Sequence, residues 1–380
     1  MKRFSRLFAA AFAAIAVCVM ASGAALAAGE LKIGLRCPLT GKWASEGQDM
    51  RQIVSLLAED VNKAGGVNGQ KVVIIAEDDA GDPRTAALAA QKLASAGVAA
   101  VIGTYGSAVT EASQNILDES EIVQVATGST SIRLTEKGMK GFFRTCPRDD
   151  EQARVAAGII KGKGFKKVAI LHDNSSYAKG LADETKKELQ GSDVSLVFFD
   201  ALTPSERDYT AILTKLKSAG PDLIFFTGYY NDVGTLLRQK KEMGWDVPML
   251  GGDAANNVDL VKIAGKAAAA GYMFVSPPTA RDFDHPAAKA FFARYEKTYG
   301  SQPSSVWSVL AGDAFTVIVD AMKKSGKSDA KSLAAALKKT PEAPVPGLTG
   351  PLAFNQKGDR IGDLYRLYIV SPEGEFVMSK

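Results

Sequence analysis

The sequence predicts an α/β protein made of two doubly wound, Rossmann-like lobes that are joined by three hinge crossings. Short apolar, β-branched runs alternate with amphipathic segments, which is typical of parallel strands covered on both faces. The alternation ends near residue 145 and then restarts with a similar length. A chain of 380 residues also exceeds what one hydrophobic core usually supports, and this favours two lobes.

The first series occupies residues 31–145. Apolar runs predict strands at 31–36, 71–76, 98–102 and 122–125, and helical spacing predicts helices at 48–62, 83–96 and 107–117. Gly65 and Gly66 suit the left-handed end of the first helix, and Pro83 suits the first turn of the second. Ser107 is a good N-cap for the third helix.

The second series follows residue 145. It predicts helices at 151–163, 177–190, 209–218 and 233–243, and strands at 167–171, 194–199, 222–226, 249–250 and 272–275. Two long helices come next, at 286–299 and 306–323. The pattern near the C-terminus predicts an antiparallel hairpin of 351–354 with 364–370.

Three joints rich in Pro and Gly interrupt the chain, at Pro147, at Pro277-Pro278 and at Gly350-Pro351. They predict one lobe of residues 28–146 plus 278–353 and a second lobe of residues 147–277 plus 354–380. Three crossings would act as a hinge, with a ligand held between the carboxyl ends of two parallel sheets.

Residues 1–27 have the features of a cleaved signal peptide. Basic residues at Lys2, Arg3 and Arg6 precede an apolar stretch too short to span a bilayer, and Ala25-Leu26-Ala27 fits the cleavage pattern. Val17 before Cys18 disfavours a lipoprotein site, so we expect a free periplasmic protein. Without this leader, 43 basic residues face 42 acidic ones, which disfavours a nucleic-acid partner.

A search for catalytic groups finds no nucleophile–base pair. The only histidines are His172 and His285, and no cluster of His, Cys, Asp and Glu has metal-ligand spacing. We therefore expect no enzyme activity, no cofactor and no metal. Cys37 and Cys146 would remain after cleavage, either as a disulfide or as two buried thiols, and their spacing does not decide between these.

Polar loops follow the strands at the edge where open α/β folds bind ligands. In the first lobe they read Thr104-Tyr105-Gly106-Ser107 and Thr127-Gly128-Ser129-Thr130. A helix N-terminus with a hydroxyl at Ser107 attracts a carboxylate, whereas carbonyls and hydroxyls near Thr130 suit an ammonium group. In the second lobe the corresponding loops carry Tyr177, Tyr229 and Asp253. An ordinary role as a helix cap, a turn residue or a residue at the rim of the cleft also explains each of these loop residues.

The chain resembles the leucine/isoleucine/valine-binding proteins of bacterial ABC importers, which belong to the type I periplasmic binding class. An ordered set of segments carries the resemblance: Ile33-Gly34, Pro38-Leu39-Thr40-Gly41, Asp78-Asp79, Asp82-Pro83, Val101-Ile102-Gly103, Ala126-Thr127-Gly128-Ser129-Thr130, Phe143-Arg144-Thr145, Leu236-Leu237-Arg238-Gln239 and Gly350-Pro351-Leu352. It implies a ligand trapped by hinge closure and an α-amino acid held by both charged ends.

The resemblance also implies roles for single residues. Ser107 and Thr130 match the contacts to carboxylate and ammonium. The other matches are the pocket positions Tyr105, Gly106, Gly128 and Ser129, the closing residues Tyr177, Tyr229 and Asp253, and the aromatic pocket position Trp307.

Two departures bear on the ligand. The disulfide that relatives can carry is absent, because Ala80 and Gly106 occupy its places. Glu46 stands where an aromatic residue can cap the aliphatic side chain of the ligand, so it would point to solvent or face a polar or cationic group on the ligand. Trp43 would supply the apolar wall instead.

We therefore expect a monomeric periplasmic component of an ABC importer that delivers an amino acid, branched-chain or related, to a membrane permease. The alternatives are a binding protein of the same fold for an amide or an aromatic carboxylate, and a sensory ligand-binding domain.

Overall fold

The structure, a computed structural model, describes residues 29–379, so the predicted signal peptide lies outside the described residues. A first sheet is wholly parallel in the order β2-β1-β3-β4-β5. Its strands are β1 (Glu30–Cys37), β2 (Lys71–Asp78), β3 (Ala100–Ile102), β4 (Val123–Ala126) and β5 (Phe142–Arg144). The helices that connect them are α1 (Ala44–Lys63), α2 (Pro83–Ser95), α3 (Ser107–Glu119) and α4 (Arg133–Glu136).

A second sheet repeats this arrangement. Its parallel part has the order β7-β6-β8-β9-β10, and β13 and β14 add two antiparallel strands beyond β10. The strands are β6 (Lys167–His172), β7 (Ser195–Ala201), β8 (Leu223–Phe226), β9 (Met249–Gly251), β10 (Met273–Ser276), β13 (Arg366–Val370) and β14 (Phe376–Met378). The helices are α5 (Asp149–Gly162), α6 (Ser176–Glu188), α7 (Thr210–Ser218), α8 (Tyr230–Glu242), α9 (Asp259–Ala264) and α10 (Lys266–Ala269).

The chain passes between the two sheets three times, as predicted. It leaves the first sheet after β5 and the second sheet after β10, and it returns to the second sheet before β13. The intervening elements are α11 (Pro286–Tyr299), α12 (Val306–Ser325), α13 (Ala330–Leu337), β11 (Val345–Gly347) and β12 (Gly350–Leu352). Phe291 and Val309 share a buried cluster with Ile53 of α1, so α11 and α12 pack on the first lobe. The residue boundaries of the lobes stay a prediction.

Two local predictions were wrong. The predicted hairpin does not form, because β12 pairs with β11, whereas β13 pairs with β10 and β14. An isolated bridge between Phe354 and Arg360 follows the first segment, but Arg360 lies before the second one. An alternating pattern predicts an antiparallel strand but not its partner, and the open edge of β10 offers β13 unpaired backbone groups. Ser107 is the first residue of α3 rather than its cap, since Gly106 holds the cap position.

The remaining sequence expectations concern thiols, metals and membranes. Cys37 and Cys146 are both buried free thiols. Within residues 29–379 no group of three His, Cys, Asp or Glu side chains is placed to hold a metal ion. In the same part of the chain, no helix has the length and apolar character needed to cross a bilayer.

Candidate functional site

The strand orders of the two sheets determine where a ligand site can form. In each parallel sheet the chain reverses its direction of winding at the first strand, between β1 and β3 and between β6 and β8. Loops leave the carboxyl ends of neighbouring strands in opposite directions at such a point, which opens a crevice. The loops after β1, β3 and β8 carry Trp43, Tyr105 and Tyr229. Tyr177 is the second residue of α6, the helix that follows β6.

Five of the predicted residues form one aromatic cluster, which consists of Trp43, Tyr105, Tyr177, Tyr229 and Trp307. Ring centroids are 4.3 Å apart for Trp43 and Tyr229 and 5.2 Å apart for Trp43 and Tyr105. Tyr105 lies 5.6 Å from Tyr229 and 5.9 Å from Trp307, and Tyr177 lies 5.4 Å from Tyr229. Since Trp43 and Tyr105 belong to the first lobe and Tyr177 and Tyr229 to the second, the cluster bridges the two lobes.

Glycines hold Trp43 in place. It ends a 3-10 turn, Gly41–Trp43, and the benzene edge of its indole lies on the backbone of Gly81 and Gly106. A Cβ at Gly81 would lie 2.5 Å from Trp43 Cε3, and a Cβ at Gly106 would lie 3.0 Å from Trp43 Cζ3. The Nζ of Lys42 lies 4.6 Å from the centre of the Trp43 ring, which places a cation at its face.

The predicted hydroxyl residues have different surroundings. The Ser107 hydroxyl accepts from the backbone N of Ser131 at 3.2 Å, and the Ser129 hydroxyl donates to the carbonyl oxygen of Thr104 at 3.1 Å. The Thr130 hydroxyl is buried and makes no hydrogen bond of standard geometry among residues 29–379, but it lies close enough to Asp149 to lower the pKa of that carboxyl. Position 128 has room only for glycine, because a Cβ there would lie 2.7 Å from Cδ2 of the neighbouring Tyr105.

Asp253 lies buried on the opposite side of the cleft. One carboxylate oxygen accepts from the Tyr365 hydroxyl at 2.9 Å, and the Asp253 backbone N donates to Gln152 Oε1 at 2.9 Å. Burial raises the pKa of the Asp253 carboxyl to about 6. Burial, together with the charge of Asp253, also raises the pKa of Asp149 well above its usual range. A cationic group placed here would offset this desolvation, because it favours the charged carboxylates.

Glu46 does not point to solvent, so that part of the expectation was wrong. Its carboxyl is buried, with Oε1 accepting from Asn257 Nδ2 at 2.7 Å and Oε2 accepting from the Ser305 hydroxyl. Burial raises the pKa of Glu46 to about 8. Asn257 lies between β9 and β10 of the second sheet, and Glu46 lies in α1, which follows β1 of the first sheet, so their bond joins the two lobes.

Further contacts between the lobes surround the aromatic cluster. The Tyr230 hydroxyl donates to the carbonyl oxygen of Lys42 at 3.1 Å, next to the cation that faces Trp43. On the other side of the opening, Ser176 donates to Glu111 Oε2 at 3.1 Å and accepts from Arg133 at 2.9 Å. The lobes are therefore in direct polar contact on both sides.

The sequence reasoning missed several residues of this region: Asp149, Gln152, Tyr230, Asn257 and Tyr365. The sequence offered a hint for two of them: Asp149 lies near the predicted joint at Pro147, and Tyr230 follows the predicted site residue Tyr229. Tyr365 reaches Asp253 through tertiary structure alone, because the two are 112 positions apart in the chain.

Comparison with known proteins gives consistent results. A family model described as "Periplasmic binding protein" matches residues 30–375. The leucine-, isoleucine-, valine-, threonine- and alanine-binding protein of Pseudomonas aeruginosa is 36% identical over 361 residues, which cover 94% of this chain and 93% of that protein.

Two solved structures extend the similarity to the fold. The leucine-binding protein LivK of Thermotoga maritima has a TM-score of 0.83 and 28% identity, covering 92% of this chain and 98% of its own. The branched-chain amino acid transporter substrate-binding protein LivJ of Streptococcus pneumoniae, in complex with isoleucine, has a TM-score of 0.82 and 27% identity, covering 92% of this chain and 100% of its own.

Proposed function

The chain belongs to the periplasmic binding protein family, and on that premise we propose that it is the substrate-binding component of an ABC importer. Its ligand is an α-amino acid, captured between the two lobes and delivered to a membrane permease. The amino acids in the name of the Pseudomonas aeruginosa relative, leucine, isoleucine, valine, threonine and alanine, are the first candidates.

One observation carries this proposal: the Asp253 carboxylate is buried beside Tyr177 of the aromatic cluster, and the Thr130 hydroxyl is buried without a hydrogen bond of standard geometry among residues 29–379. Asp253 and Thr130 suit the ammonium end of an amino acid. Ser107, at the N-terminal turn of the 13-residue helix α3, suits the carboxylate end, because free backbone N–H groups there attract anions. Tyr177, Tyr229 and Trp307 cover the ligand, while Gly106, Gly128 and Ser129 supply backbone contacts.

The mechanism is binding and closure, with no bond made or broken. A ligand that contacts both lobes stabilises the closed arrangement relative to an open one. We further propose that the mature protein acts as a monomer in the periplasm after removal of residues 1–27, and that its lobes consist of residues 28–146 plus 278–353 and of residues 147–277 plus 354–380. It needs neither a cofactor nor a nucleic acid.

A thermal-shift screen of the mature protein tests this function. A ligand that binds only the folded state at a concentration 100 times its Kd stabilises it by about 2.7 kcal/mol, a shift that such a screen resolves. We expect at least one α-amino acid to raise the melting temperature, and its deaminated analogue to have no effect. If simple amides or aromatic carboxylates raise it and amino acids do not, the amino-acid function is wrong.

A further inference from the structure

Three buried hydrogen-bond donors in the aromatic cluster have no acceptor within the described residues 29–379. They are the indole Nε1 groups of Trp43 and Trp307 and the hydroxyl of Tyr105. The side chains are at most 4% exposed, and none of the residues from 29 to 379 supplies an acceptor to these atoms. Buried donors are nearly always paired in folded proteins, so three in one cluster require an explanation.

The three donors belong to rings that are in contact. Tyr105 lies between Trp43 and Trp307, at centroid distances of 5.2 Å and 5.9 Å. The benzene edge of Trp43 lies on Gly81 and Gly106 of its own lobe. Its Nε1 is on the other side of the indole and therefore faces away from these loops. The three donors thus belong to one group of neighbouring rings, at the place where the first lobe meets Tyr229 of the second lobe.

An aliphatic ligand side chain in this region would leave all three donors without a partner. It would also remove any water that reaches them, so the full desolvation of each donor would oppose binding. A ligand side chain that carries an oxygen acceptor removes this cost. Sites built to hydrogen-bond a ligand strongly reject the analogue that lacks the bonding group.

The charges near the cluster decide between a neutral acceptor and an anionic one. Glu46, Asp149 and Asp253 are all buried carboxyls, and the charges of Glu46 and Asp253 add to burial in raising the pKa of Tyr105. A carboxylate on the ligand side chain would be desolvated beside these groups, and Lys42, the cation at the face of Trp43, is exposed to solvent and would offset that cost only in part. An amide or hydroxyl oxygen meets the donors without this cost.

We propose that the ligand is an α-amino acid whose side chain carries a neutral hydrogen-bond acceptor, an amide or a hydroxyl, rather than a purely aliphatic group. This inference rests on the proposed amino-acid function, and it narrows the ligand class within that function.

Calorimetric titration of the mature protein with matched amino acids tests the proposal. Asparagine has the shape of leucine and threonine the shape of valine, so each pair keeps the size of the side chain and replaces methyl groups by polar ones. We expect asparagine to bind at least about 10-fold more tightly than leucine, and threonine about 10-fold more tightly than valine, as one added hydrogen bond predicts. Aspartate should bind more weakly than asparagine.

Two variants test whether the Tyr105 hydroxyl contributes to the preference for asparagine over leucine. Tyr105→Phe removes one donor oxygen and keeps the ring, and it should lower the preference for asparagine over leucine by about 10-fold. Tyr272→Phe is the matched control, because the Tyr272 hydroxyl is also buried without a partner among residues 29–379. Tyr272 packs on Phe274 of β10, outside the aromatic cluster, so its replacement should leave the preference unchanged. Both variants should fold, since neither loses a hydrogen bond.

The outcomes separate this inference from the function on which it rests. The inference is overturned if leucine binds as tightly as asparagine, if valine binds as tightly as threonine, or if Tyr105→Phe keeps the full preference. In those cases amino-acid binding itself stands. If no amino acid binds the mature protein, the proposed function and the inference fail together.

Discussion

Glu46 Oε1 accepts a 2.7 Å hydrogen bond from Asn257 Nδ2, and both side chains are buried where the two lobes meet. The bond joins helix α1 of the first lobe to the segment that follows Asp253 in the second. Its donor belongs to a neutral amide, which compensates a carboxylate less than a cation would. Burial therefore dominates and raises the pKa of Glu46 to about 8.

This pKa predicts how stability depends on pH. The ordinary pKa of Glu is about 4.3, so between about pH 4.3 and pH 8 the folded state keeps a proton that the unfolded state releases. The free energy of unfolding should fall as pH rises through this window, by up to about 1.4 kcal/mol per unit from Glu46 alone. Glu46→Gln should flatten the slope in chemical denaturation at pH 5, 6, 7 and 8.

Asp253 also titrates within this window, so the comparison between wild type and Glu46→Gln isolates the contribution of Glu46. Equal slopes for the two proteins would show that Glu46 is ionised in the folded state.

Replacing Asp253 by Asn should weaken amino-acid binding by about 10- to 100-fold, because the buried negative partner of the ammonium group is lost. The Asn side chain keeps an oxygen that can accept from Tyr365, so folding should be retained. Asp363→Asn is the matched control, since that carboxylate is 81% exposed. Calorimetry on both variants checks the effect, and equal affinity in the two would remove Asp253 from the site.

Thr130→Val should separate binding from stability. The two side chains have the same shape, and the Thr130 hydroxyl makes no hydrogen bond of standard geometry within residues 29–379, so the unliganded variant should be about as stable as wild type. Affinity for the amino acid should fall by about 10-fold, as expected for one lost hydrogen bond. Thermal melting and calorimetry measure the two effects. A variant that is destabilised and binds normally would assign the hydroxyl a structural role.

Gly106→Ala should disturb the Trp43 ring. The backbone of Gly106, with φ −84° and ψ 136°, accepts any residue, so the effect comes only from the new Cβ at 3.0 Å from Trp43 Cζ3. We expect weaker ligand binding and altered tryptophan fluorescence. Gly158→Ala is the control, because a Cβ there meets no atom within 4 Å and alanine favours the interior of helix α5 by about 1 kcal/mol. The same fluorescence in both variants would contradict the prediction.

The two buried thiols should be unreactive in the native protein. Burial raises the pKa of Cys146 to about 12 and that of Cys37 well above its usual range, so neither forms the reactive thiolate near neutral pH. A thiol reagent should label neither cysteine of the mature protein in native buffer and both in guanidinium chloride. Labelling of neither in denaturant would indicate a disulfide.

Particular residues show where prediction from sequence succeeded. The alternation of apolar runs and helices predicted both parallel sheets, because strands covered on two faces are apolar throughout. Tyr105, Tyr177 and Tyr229 were expected at the cleft because they follow strand ends. Their rings lie close together in the structure, and their contact with a ligand stays a prediction. Trp43 was expected to supply an apolar wall, and its ring lies 4.3 Å from that of Tyr229.

Other residues show where it failed. A loop position does not reveal whether a carboxylate faces solvent, so the burial of Glu46 against Asn257 and Ser305 was not foreseen. The strand β13 was recognised, but its pairing with β10 was not. Gln152 and Tyr365 reach Asp253 from distant parts of the chain, and no local pattern marks them.

The sequence by itself determined the α/β class, the repeated series of strands and helices, the three crossings between the lobes and the loops that carry the aromatic residues. These follow from local periodicity and from the rule that parallel strands align their carboxyl ends. Tertiary structure alone decided which polar groups are buried, which of them are paired, and which donors are left without an acceptor in the cleft. Burial and pairing depend on residues that are distant in the chain, and these properties define the ligand we infer.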